Sequence, residues 1–143
     1  MTENRARRKR VEVKFRLTPG LKHVKGDMYK LALAFVNIIN NAFDAMQNSS
    51  IRILQIETRM SEDNTFVEVS FTDTGRGISE RLGNEVDGYI AIFKPFVTDK
   101  PKGTGLGLAV TKRIVKEFHG EIKVASKKDV GTTFVIQLLP GEE

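Results

Sequence analysis

The chain has 143 residues, 40% of them hydrophobic, with no cysteine and a formal charge of +5. A single domain of that length buries about 70% of its unfolded surface, so it needs neither disulfide nor structural metal, and no apolar run reaches the roughly 18 residues of a membrane helix. The charge argues against a nucleic-acid binder: Arg5, Arg7, Arg8, Lys9 and Arg10 against Glu3 put +4 into the first ten residues, where no aromatic residue offers a base-stacking surface.

Residues 1–10 read as a basic tail or linker and residues 11–143 as the folded domain. Val11, Val13, Phe15 and Leu17 alternate with charged residues, the period-2 pattern of a half-buried strand, until Thr18-Pro-Gly20 ends it. Asp27 is placed to cap a helix in which Leu31, Phe35, Ile38, Ile39, Ala42, Phe43 and Met46 recur three and four apart. That spacing stacks Asn37 and Asn41 on one helical face. Two β-rich runs follow, 51–60 and 65–71, joined by the turn residues 61–64 as a hairpin. Seven of the twelve glycines then fall between positions 75 and 107, an irregular stretch of the kind that carries function. Leu106, Ala109, Val110, Ile114 and Phe118 mark a second amphipathic helix, with Gly120 as its expected stop. Two last strands, 121–125 and 132–139, flank a turn at 127–131. The order predicts an α+β layered fold with helices on one sheet face.

Four segments carry chemistry. The helix face with Asn37 and Asn41 is unusual, because helix interiors disfavour asparagine and three occur within five positions. Asn41 offers a neutral oxygen to a phosphate-borne Mg²⁺, which takes few protein ligands and keeps its waters, and Asn37 is placed to hold one of those waters. Asp73-Thr-Gly75-Arg-Gly77-Ile78 sets a carboxylate at a strand end beside glycines that leave room for a flat ligand. Phe93-Lys-Pro-Phe96 reads as a hydrophobic clamp. Gly103-Thr104-Gly105-Leu106-Gly107-Leu108 opens a helix, where unpaired N–H groups and a partial positive charge favour an anion. Lys100 and Lys102 lie just before it.

In this order the four segments resemble the N, G1, F and G2 boxes of the catalytic, ATP-binding domain of sensor histidine kinases, most similar to the nitrogen-regulation type, within the superfamily of DNA gyrase, Hsp90 and MutL. The resemblance implies a Bergerat-type two-layer sandwich with a mostly antiparallel sheet and a mobile ATP lid over about residues 76–104. It implies that ATP and Mg²⁺ are bound, with Asp73 on adenine N6, Asn41 on Mg²⁺, Thr132 near the adenine, and the backbone around Gly105 and Gly107 on the phosphates. Asp44, Gly75, Gly77, Ile78, Phe93, Phe96, Lys100, Lys102, Gly103, Thr104, Leu106 and Leu108 match its remaining nucleotide-site positions. Asp44 stands where many such kinases carry lysine, which assigns the phosphate-contacting cation to the lid. The stretch 79–91 is longer than the family pattern.

In the superfamily's ATPases a glutamate one turn before the Mg²⁺ asparagine activates water. Asn37 stands in that place, and an amide is no general base near neutral pH. The pattern favours phosphoryl transfer to a protein acceptor over hydrolysis; the alternatives are an ATP-driven conformational switch and a nucleotide-binding regulatory module. His23 precedes Val24 and His119 precedes Gly120, so neither fits the family's His-acidic acceptor. The resemblance places that acceptor on a separate dimerising helical hairpin of the same kinase and adds a response regulator as partner. Nucleic-acid and membrane partners are not expected. The expected fragment is a cytoplasmic monomer of a homodimeric parent.

Overall fold

The computed structural model describes residues 10–84, 88–98 and 105–141. In chain order it runs β1 (Glu12–Leu17), α1 (Met28–Ala45), β2 (Ile53–Met60), β3 (Val67–Asp73), α2 (Gly107–Glu117), β4 (Glu121–Lys127) and β5 (Gly131–Leu138), with two short helical turns, Glu80–Leu82 and Ile90–Phe93, between β3 and α2. The strands form one sheet ordered β1-β2-β3-β5-β4. β1 runs parallel to β2, and every other neighbouring pair is antiparallel.

Alternation along β3 and β5 turns Val69, Phe71, Phe134, Ile136 and Leu138 toward the helices, all of them buried. α1 sends Leu31, Ala34, Ile38, Ala42 and Phe43 into the same core. Its start is fixed as expected: Asp27 Oδ1 accepts from the amides of Tyr29 (2.8 Å) and Lys30 (3.3 Å). α1 packs on α2 and over β3, while α2 packs against β4. This helical layer meets the C-terminal end of β3 and the first turn of α2, which is where the chemistry-bearing segments converge.

Two expectations need revision. Phe15 and Leu17 point to the helical side but are 65% and 61% exposed, because β1 is the sheet's edge and only Val11 and Val13 reach the core. At the end of α2 the left-handed residue is His119 (φ 58°), not Gly120. The amides of His119 and Gly120 reach back to the carbonyls of Lys116 and Val115, both at 2.9 Å, a Schellman closure. Glycine is needed one position later for another reason, since a Cβ on Gly120 would lie 2.2 Å from the carbonyl oxygen of Gln137.

Candidate nucleotide site

A cavity of about 270 Å³ opens between α1, the end of β3, the start of α2 and the Ile90–Phe93 turn. Asn37, Asn41 and Asp44 line one wall and Asp73 and Thr132 the opposite one, with Gly105, Gly107 and Leu108 at the helix start and Gly77 and Ile78 at the β3 exit. Those ten expected residues are thus brought together from four stretches of chain.

Asp73 is only 4% exposed. The amides of Gly75 (2.8 Å) and Thr132 (3.3 Å) both donate to its Oδ1, so Oδ2 is the oxygen available to a ligand. Burial pushes its carboxyl up to about 6, against the pull of those two amides. A carboxylate held in an apolar wall at that poise accepts strongly from a ligand N–H. Around it, Thr132 Oγ1 pairs with Ser126 Oγ at 2.9 Å, and Ser126 Oγ also accepts from the Ile78 amide at 2.8 Å.

On the other wall Asn37 is already engaged. Its Nδ2 donates to the Gly107 carbonyl at 3.2 Å, an acceptor shared with Thr111 Oγ1 at 2.9 Å. Asn37 therefore ties α1 to the first residue of α2. Asn41 stands one turn further along the same face of α1 and lines the cavity. Among the described residues no three histidine, cysteine or carboxylate side chains gather as a metal cage. The amide-lined wall suits a divalent ion that arrives on a ligand and keeps its waters, and does not suit one held by protein alone.

Some expected residues lie elsewhere. Gly75 does not line this cavity; a Cβ there would sit 2.7 Å from the Ala45 carbonyl oxygen, so glycine allows β3's exit to pass close under the end of α1. Phe93 is buried behind the wall, edge-on to Phe134 at 6.4 Å, with Lys112 Nζ 5.1 Å above its ring. Phe96 is 76% exposed, so its ring clamps nothing here. Its main chain instead meets Gly105: the Phe96 amide donates to the Gly105 carbonyl at 2.9 Å, and the left-handed Gly105 (φ 71°) approaches so closely that a Cβ would lie 2.5 Å from Phe96's carbonyl carbon. Leu106 also lies off the cavity, and Lys100, Lys102, Gly103 and Thr104 fall outside the described residues.

Asn40, Arg76, Ile92 and Phe134 also line the cavity, and sequence reasoning did not single them out. Arg76 sits inside the glycine turn, and Asn40 between the two chosen asparagines, so adjacency was the available signal. Ile92 and Phe134 carry only the signature of core residues.

A family profile described as histidine kinase-, DNA gyrase B-, and HSP90-like ATPase matches residues 26–142. The sensor histidine kinase ZraS of Escherichia coli is 34% identical over 133 residues, covering 93% of this chain and 26% of that protein. Sporulation kinase A of Bacillus subtilis is 36% identical over 114 residues, covering 80% and 17%. The chain thus spans about a quarter of those relatives or less. The catalytic domain of the histidine kinase ThkA, solved free of nucleotide, superimposes with a TM-score of 0.76 at 26% identity, over 96% of this chain and 86% of that one.

Proposed function

Because the chain belongs to the histidine kinase-, DNA gyrase B-, and HSP90-like ATPase family, as a catalytic ATP-binding domain of the sensor histidine kinase kind, we propose that it binds Mg-ATP in this cavity and transfers the γ-phosphoryl group to a histidine on a companion helical hairpin. The observation that carries the reading is the pairing of two unlike walls. Asp73, buried with Oδ2 open, meets the exocyclic amine of adenine, and Asn41 with the start of α2 receives the phosphates. Mg²⁺, when bound on the phosphates, supplies charge neutralisation, with Asn41 as its protein ligand.

The chain's own part in transfer is positioning. α2 presents backbone N–H groups at Gly107 and Leu108, and Asn37 fixes that helix start against α1. The position of the hydrolytic base is held by Asn37, an amide whose Nδ2 donates to the Gly107 carbonyl. The acceptor histidine's ring nitrogen attacks the γ-phosphorus, the bond to the bridging oxygen breaks, and ADP leaves. On this reading residues 11–143 are the folding unit and the stretch 76–104, of which 85–87 and 99–104 lie outside the described residues, is the lid, and a response regulator receives the phosphoryl group in the cytoplasm.

The test is a calorimetric titration of the chain with Mg-ATP, followed by γ-labelled ATP with an added histidine-bearing hairpin. Saturable binding and label on the hairpin are expected. Absence of binding would overturn the nucleotide reading, and rapid phosphate release without label would favour an ATP-driven switch.

A further inference from the structure

Tyr89 lies between the two short helical turns and takes part in none of the chemistry above, yet its placement is costly. It adopts the left-handed conformation (φ 54°, ψ 37°), directly after the left-handed Gly88. For a bulky residue this is an outlier, and such strain persists only where surrounding structure enforces it. The turn carries the aromatic ring inward until Tyr89 is 6% exposed within the main core. Its hydroxyl donates to the main-chain carbonyl of Ser126 at 3.2 Å.

Ser126 is the residue at which the purine wall is joined. Its Oγ accepts from the Ile78 amide at 2.8 Å and pairs with Thr132 Oγ1 at 2.9 Å, while the Thr132 amide donates to Asp73 Oδ1. Ile78, Thr132 and Asp73 all line the cavity; Ser126 and Tyr89 do not. The hydroxyl of Tyr89 therefore stands at the outer end of a short polar chain whose inner end is the carboxylate facing the ligand. We infer that Tyr89 is a positioning residue for the purine end of the site: by holding the Ser126 main chain it keeps Ser126 Oγ between Ile78 and Thr132, and so sets the orientation of Asp73.

This inference rests on the nucleotide reading, and it separates from a packing role because Tyr89→Phe keeps the ring and removes only the hydroxyl. The experiment measures affinities for Mg-ATP, Mg-ADP and Mg-ITP by competition against a fluorescent ATP analogue. The proteins are the wild type, Tyr89→Phe, Ser126→Ala and the double variant. One lost hydrogen bond corresponds to about three- to tenfold. Tyr89→Phe is expected to weaken ATP and ADP alike by about that factor and ITP by less, because inosine lacks the amine that Asp73 reads. Since both substitutions cut one chain, the double variant is expected to bind no more weakly than the weaker single one. Unchanged ATP affinity in Tyr89→Phe, equal losses for ATP and ITP, or multiplying effects would each overturn it. A wild type that binds no ATP would remove the nucleotide reading itself, whereas a binding wild type matched by Tyr89→Phe removes this inference alone.

Discussion

The buried carboxyl of Asp73 makes stability and binding respond to pH in opposite directions. Its folded pKa of about 6 lies above the roughly 3.9 of an unfolded aspartate. Between those values the folded state holds the extra proton, so stability falls as pH rises through that window, and the penalty is complete above it. Asp73→Asn removes an ionisation penalty of up to about 3 kcal/mol. It is expected to melt higher than wild type near about pH 8, with the gap closing near about pH 4, as thermal denaturation would show. Affinity for ATP should fall as pH drops below about 6, where the buried carboxyl takes up its proton, because a protonated carboxyl accepts less well. Asp73→Asn should cost about 10- to 100-fold in ATP affinity by titration, the range for a charge-assisted hydrogen bond. That Asp73 would sit at a strand end was legible from β-rich residues meeting a glycine turn. That Gly75 lets the exit of β3 pass close under the end of α1 was not legible, since its neighbour Ala45 is thirty positions away and close only in space.

Elements were legible wherever a local pattern decides them. The three-and-four spacing of α1 and the cap at Asp27 are read within one turn, and Asp27→Ala should lower stability by about 1 kcal/mol in urea denaturation. The joint between α1 and α2 is a different matter, because Asn37 and the Gly107 carbonyl are separated by 70 positions. Asn37→Glu would set a carboxylate against that carbonyl. It is expected to lose about 1–3 kcal/mol of stability and to gain no appreciable phosphate release; a variant with wild-type stability would show that the tie contributes nothing. Lys30 and Glu117 bridge the other ends of the same helices at 2.7 Å, both about half exposed. Glu117→Gln should move stability by less than about 0.5 kcal/mol, since exposed pairs are solvent-screened. The end of α2 misled the sequence reading because glycine is the usual left-handed residue there, and His119 takes that role one position earlier.

At the scale of the molecule, the strands could be recognised but not ordered, since neighbours in a sheet are set by pairing across distant chain. The exposure of Phe15 and Leu17 follows from β1's place at the edge, which period-2 alternation cannot reveal. Lys14 and Arg16 alternate with them, and charges on an edge strand discourage strand-to-strand association. Lys14→Val with Arg16→Val is therefore expected to aggregate on concentration, as light scattering would detect, while the wild type stays dispersed. The sheet order also bears on how the chain is made. β3, which carries Asp73, lies between β2 and β5, and β5 is the last strand in sequence. A chain emerging from the ribosome can zip β2 onto β3 early, but β3 keeps one bare edge until residues 131–138 are out. The segment ahead of α1 waits too, because Lys25 and His23 bond to Leu139 and Gly141. Vectorial synthesis thus withholds the finished pocket until β5 and the residues just after it have been translated, and nascent chains stalled short of β5 would expose that edge to whatever first pairs with it.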